Sequence, residues 1–186
     1  MNSTKGLKKP ITELLQCAGA ACLVLALATP VTAASPPTLA ELQARAQIQD
    51  LLVDYYAHLG GDESHFGDFY VDDGVLDVNG DVAQGQKAIG ELYRQLRASA
   101  SNPPRKGTFR MLLTNARITV KGDTATADVL WTGVLNTDLS APPQFAEQGR
   151  EHDELVRRND RWLFKYREIT ADSGMPRMFD RTYKKR

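Results

Sequence analysis

The sequence predicts an α+β domain in which helices from the N-terminal half pack on one face of a curved antiparallel sheet supplied by the C-terminal half. Three observations predict it. Apolar residues ahead of Pro103 recur mostly at three- and four-residue spacing; from Thr108 onward, long segments rich in Val, Ile, Thr, Trp and Phe are separated by tight polar turns; and the two patterns are segregated along the chain.

The first segment has the three parts that a translocation machinery reads: basic Lys5, Lys8 and Lys9, an apolar run from Leu14 to Ala28, and small residues at Val31-Thr32-Ala33 behind Pro30. Cleavage is expected after Ala33. Residues 1–33 are then a signal peptide, 34–40 a linker, 41–175 the domain and 176–186 a C-terminal tail. The apolar run is diluted by Gln16, Cys17 and Gly19 and falls short of the roughly 20 residues that span a bilayer. Neither Cys17, after Leu14-Leu15-Gln16, nor Cys22, after Gly19-Ala20-Ala21, has the leucine and small residues that precede a lipidated cysteine. Both cysteines leave with the signal. The mature chain then has no thiol for disulfides, metal ligation or nucleophilic attack, and its stability must come from a core.

Of 23 basic and 23 acidic residues, the signal removes Lys5, Lys8, Lys9 and Glu13 and leaves a slightly acidic balance. Such a balance offers no field to nucleic acid, and Lys184-Lys185-Arg186 reads as a solvated end. The expected location is the periplasm or the exterior, with no membrane attachment after cleavage.

Within the domain, Thr38 and Glu41 form a helix-start signature, and Leu42, Ile48, Leu51, Leu52, Tyr55, Tyr56 and Leu59 make an amphipathic stripe stopped by Gly60-Gly61. A second short helix is expected over Glu63 to Tyr70. Val75 to Val78 is a short strand turning at Asn79-Gly80-Asp81, and Gln86 to Ala100 is a helix with Ile89, Leu92, Tyr93 and Leu96 on one face. Four strands complete the domain: Thr108 to Lys121, Asp123 to Thr137, Gln144 to Arg157 and Arg161 to Ala171. Their tight connections make neighbours antiparallel.

Four blocks give the chain a family resemblance: Ile48-Gln49-Asp50-Leu51-Leu52-Val53-Asp54-Tyr55; Phe69-Tyr70-Val71-Asp72-Asp73-Gly74-Val75-Leu76-Asp77; Thr114-Asn115-Ala116-Arg117-Ile118-Thr119-Val120-Lys121-Gly122-Asp123-Thr124-Ala125; and Asp153-Glu154-Leu155-Val156-Arg157 through Arg161-Trp162. In these it resembles the SnoaL-like branch of the nuclear transport factor 2-like superfamily. The resemblance implies a cone, in which a bent sheet wraps against about three helices and leaves a pocket at its open end. It also implies proton abstraction beside a carbonyl or leaving group, as in scytalone dehydratase and hexachlorocyclohexane dehydrochlorinase. In such members an aspartate ending the first helix orients a histidine four residues before the asparagine of the Thr-Asn block. Here the first slot aligns with Gly60 and the second is Met111, after Arg110. Neither holds a proton, so that dyad is not carried over.

Other groups are left as candidates. His58 lies one turn before the missing aspartate, placed either as a base or as a rim histidine; His65 reads as surface. Along Glu151-His152-Asp153-Glu154, alternation puts Glu151 and Asp153 on one face and His152 and Glu154 on the other. Whichever pair turns inward becomes a buried carboxylate and a candidate base. The alternative is a charged ladder paired with Arg110, Arg150 or Arg167. Tyr55, Leu59, Phe69, Met111, Leu113 and Trp131 are the candidate pocket wall. The scattered histidines lack metal-ligand spacing, and there is no phosphate loop or nucleophile elbow, so no metal or cofactor is expected. Three functions remain open: a protein binding a small apolar or aromatic molecule, a cofactor-independent lyase or isomerase with a non-standard base, and a module that forms homodimers or docks partners through its open sheet face.

Overall fold

A computed structural model describes residues 35–59, 63–99 and 107–174. The chain divides into two units, Met1–Ser35 and Pro36–Arg186, and the second carries all the helices and strands described. The signal segment, Gly60-Gly61, Asn102-Pro103-Pro104 and the C-terminal tail lie outside the described residues.

Helix α1 (Leu39–Ala57) opens with a complete capping box. The Thr38 hydroxyl accepts from the Glu41 amide at 3.2 Å, and the Glu41 carboxylate accepts from the Thr38 amide at 2.7 Å. Its buried face is Ala44, Ile48, Leu52, Tyr55 and Tyr56. Leu42, placed on that stripe by its spacing, is exposed instead. Next comes a 3-10 helix, Glu63–Phe69, in place of the expected α-helix. Strand β1 (Tyr70–Val78) starts five residues earlier than its alternation indicates and turns through Asn79 and Gly80, both at positive φ, into β2 (Asp81–Gln84). Left-handed backbone at both central residues is what a two-residue hairpin turn with the twist of its strands requires. Helix α2 (Gln86–Ser99) comes next, then β3 (Thr108–Lys121), β4 (Thr124–Asn136), β5 (Gln144–Arg158) and β6 (Arg161–Ser173).

The six strands form one sheet in the order β2-β1-β6-β5-β4-β3. Four pairings are antiparallel, as the turns dictate; β1 and β6 pair in parallel, a long-range contact that no local turn signals. The sheet carries several register shifts, and two of them decide which side chains face inward. In β3, Thr114 pairs with Leu130 but Arg117 with Asp128, so the strand holds one extra residue around Asn115, which sits at φ 54°. Inward residues switch there from Phe109, Met111 and Leu113 to Ile118 and Val120, while Arg117 comes onto the exposed face. In β6 the shift lies between Phe164 and Tyr166, and the inward set passes from Trp162 and Phe164 to Arg167, Ile169 and Ala171.

The core fills the space between this inner face and the helices. Tyr55 is its hub: its ring makes edge contacts with those of Tyr56, Phe66, Phe69, Tyr70, Tyr93 and Phe164. Gly149 lies beneath the Trp131 ring, where any Cβ would strike the indole and the Thr170 carbonyl.

Candidate functional site

Strand β5 places Glu151 and Asp153 on the inner face and His152 and Glu154 on the outer one. Glu151 is 3% exposed and Asp153 0%. Their partner comes from β6, whose register shift turns Arg167 inward beside Asp153, also at 0% exposure. The guanidinium Nη2 donates to Glu151 Oε2 at 2.5 Å, and Nε lies 3.4 Å from Asp153 Oδ1. Its carbon sits 4.0 Å from the Tyr55 ring centroid and 4.4 Å from that of Phe164, so the cation is also held by aromatic faces.

Helix α1 closes the cluster from the other side. The Tyr56 hydroxyl donates to Glu151 Oε2, and the Tyr55 hydroxyl is hydrogen-bonded to those of Tyr70, at 3.1 Å, and Tyr93. Several buried polar atoms in this interior have no hydrogen-bond partner among the described residues: Glu151 Oε1, both Asp153 oxygens, Arg167 Nε and Nη1, and Trp131 Nε1.

The electrostatics follow from burial. Loss of water pushes the Asp153 carboxyl well above the usual carboxylate range; Arg167 opposes this and Glu151 adds to it. Burial works against the charged form of Arg167 too, yet Asp153 and Glu151 outweigh it and the guanidinium stays protonated. Burial likewise pushes the hydroxyls of Tyr55, Tyr56, Tyr70 and Tyr93 well above their ordinary value. The arrangement therefore sets a carboxyl biased toward its protonated form, a second carboxyl hydrogen-bonded by Arg167 and Tyr56, and a fixed cation within one aromatic enclosure.

Of the residues singled out from sequence, Glu151, Asp153, Tyr55 and Trp131 are buried here, and Leu59, Phe69, Met111 and Leu113 pack partly buried against the same core. His58 is not in the cluster: its Nδ1 is hydrogen-bonded to the Asp54 carbonyl at 2.6 Å, and its ring meets those of Phe69 and Phe66 edge-on. His65 is exposed beside Asp68. His152 lies on the outer face with Nδ1 2.7 Å from Asp128 Oδ1, along an open groove of about 510 Å³ that Arg117, Leu130 and Arg150 also line. Arg150 pairs outside with Asp172 at 2.8 Å. The charged ladder thus runs along the outer face, while Arg167 serves the inner one. Sequence reasoning missed the convergence of Tyr56, Tyr70 and Tyr93: Tyr56 and Tyr93 were legible only as members of the apolar stripes of their helices, and Tyr70 carried no such signal.

Among the described residues no group of three or more His, Cys, Asp or Glu is placed to hold a metal, and no helix is long and apolar enough to cross a membrane.

No curated protein matches the sequence. Solved structures of the same fold do. A Mycobacterium tuberculosis protein of unknown function is 23% identical, with 75% of this chain and 78% of that one covered at a TM-score of 0.61. A candidate scytalone dehydratase from Novosphingobium aromaticivorans is 18% identical, covering 71% and 86% at 0.56. A protein from Catenulispora acidiphila is 22% identical, covering 70% and 95% at 0.58. At these identities the likeness shows the fold. The sequence itself matches the SnoaL-like domain model over residues 40–168, from the start of α1 to just past Arg167 in β6, and the chain belongs to that family.

Proposed function

We propose that this is an exported cone that takes up a small, largely apolar molecule and orients it against the buried acid cluster. The observation that carries the reading is the cluster itself: Glu151, Asp153 and Arg167, none more than 3% exposed, in an interior otherwise aromatic and aliphatic. Withdrawing such groups from water costs several kcal/mol each, and an apolar core of equal volume is often more stable. A fold that keeps them gives up stability, which is common where buried polar groups serve a ligand. Tyr55, Leu59, Phe69, Met111, Leu113 and Trp131 would form the apolar wall, and the unpartnered donors and acceptors would fix orientation. The Catenulispora acidiphila neighbour was solved in complex with S-DNPA, which supports ligand uptake by this fold. Export rests on the basic start, the apolar run and the Val31-Thr32-Ala33 break.

The test is a thermal-shift panel of cyclic ketones, quinones and phenols on the chain beginning at Ala34, with Trp131 fluorescence as a second readout. At least one compound should raise the melting temperature, by the equivalent of about 2.7 kcal/mol at a hundredfold excess over Kd, and Leu113→Asp should abolish the rise. A panel that moves neither readout counts against ligand binding.

A second reading, cofactor-independent lyase or isomerase chemistry, is favoured by one feature. Burial pushes the Asp153 carboxyl well above the usual carboxylate range beside the ion-paired Glu151, which would let one site hold a proton donor and a proton acceptor. Its measurement is exchange of acidic C–H protons in D2O, which Asp153→Asn or Glu151→Gln should suppress and His58→Ala should leave unchanged.

A further inference from the structure

The geometry points to a division of labour between the two buried carboxyls: Glu151 takes a substrate proton on its Oε1, Asp153 delivers one, and Tyr56 is the positioning residue that leaves Oε1 the open oxygen. The inference rests on the proton-transfer reading.

The two oxygens of Glu151 are unequal. Oε2 accepts from both the Tyr56 hydroxyl and Arg167 Nη2, whereas Oε1 is buried with no donor among the described residues. An oxygen already holding two donors, one of them charged, is a poor place for an arriving proton. Asp153 differs again. Neither of its oxygens accepts a hydrogen bond from a described residue, and the guanidinium stands 3.4 Å away, compared with 2.5 Å at Glu151. One cation serves two carboxyls, so the closer contact fixes the negative charge on Glu151 and leaves the proton on Asp153.

The charged and titratable groups facing the pair agree. Tyr55 and Tyr56 come from α1, Tyr70 from β1 and Tyr93 from α2, all kept neutral by burial; Asp128 of β4 acts on Asp153 from the outer face. Among the described residues Arg167 is the buried cation and Glu151 its nearest anion.

The step balances. A substrate C–H bond next to a carbonyl breaks and its proton goes to Glu151 Oε1; the electron pair becomes a C=C bond, and the carbonyl oxygen receives the Asp153 proton to give an enol. Anionic Glu151, neutral Asp153 and cationic Arg167 become neutral Glu151, anionic Asp153 and the same cation. The interior is neutral before and after, which a low-dielectric enclosure strongly favours. Arg167 touches both carboxyls and remains the counterion throughout. Returning the protons in the opposite sense, to a different carbon, completes an isomerisation.

Carboxyl 13C NMR of the chain beginning at Ala34 reads the assignment without any substrate. At pH 7 the Asp153 carboxyl should be protonated and that of Glu151 ionised; the reverse pattern, or both ionised, overturns the inference. Tyr56→Phe keeps the ring and removes one donor to Oε2, so the Glu151 carboxyl 13C resonance should move while that of Asp153 stays in place. A Tyr56 with only a packing role would leave the Glu151 resonance unmoved and overturn its assignment. With 2-tetralone in D2O as the probe, Glu151→Gln should slow α-proton exchange at least about 100-fold. Tyr56→Phe should shift the pH profile of the rate upward. A wild-type protein that exchanges no protons overturns the proton-transfer reading, and the NMR pattern decides the division separately.

Discussion

Replacing Arg167 would leave Glu151 and Asp153 in the aromatic interior without a counterion, and the cost follows from what the side chain touches. Arg167→Met keeps much of the volume but removes the cation, and breaking a buried pair in this way typically destabilises by about 3–5 kcal/mol. Urea unfolding should show a loss of that order. Adding Glu151→Gln should recover a large part of it, because the stranded charge is then gone. Asp153 predicts a pH dependence of definite sign. Its folded-state carboxyl titrates above the unfolded value of about 3.9, so the stability it contributes is fully present below that value. As pH rises from there the folded protein keeps a proton that the unfolded chain releases, and stability falls by up to about 1.4 kcal/mol per unit until the folded carboxyl ionises as well. Asp153→Asn should flatten that fall in denaturation midpoints measured across pH. At this scale the sequence was half legible. Alternation placed Glu151 and Asp153 together on one face and left Arg167 as one of three possible ladder partners, but it could not say which face turned inward, or that Arg167 would turn in with them.

The inward turn of Arg167 was hidden because of what β6 does as an element. Counting by twos from Trp162 and Phe164 puts Arg167 on the outer face, and the register shift between Phe164 and Tyr166 reverses that parity. The same device in β3 sends Arg117 outward and lets Ile118 and Val120 join the core. Such shifts are settled by pairing with the neighbouring strand, so a periodicity read along one strand cannot contain them. Asn115 makes the β3 shift possible by accepting φ 54°, a conformation that costs most residues about 1–2 kcal/mol. Asn115→Val should destabilise by about that amount in urea titrations, and Asn115→Gly should be neutral or mildly stabilising. Equal effects from both would show that the backbone at this position is not left-handed. Strand extents, by contrast, were legible from Thr108 onward because the turns between them carry their own chemistry, as at Asn159 and Asp160, both at positive φ.

For the molecule as a whole, segregated periodicities were enough to give the class, and the family blocks gave the cone. What remained out of reach was the parallel contact between β1 and β6, which joins residues as far apart as Tyr70 and Phe164. It puts β6, the last of the described strands to be synthesised, third in the sheet order, flanked by β1 on one side and β5 on the other. A chain ending at Arg158 should therefore be rapidly digested by protease and lack the near-ultraviolet circular dichroism of packed aromatics, although it retains both α1 and α2. A comparable signal from that fragment would mean that the remaining strands close without β6. Pairings of such long sequence separation also place folding in the slow, millisecond-to-second range. The same late arrival would suit the proposed export, in which the chain would pass a narrow channel as an extended thread. Until β6 emerges, little in the sheet can lock, and the two acids that will end up sealed away stay wet until their cation reaches them.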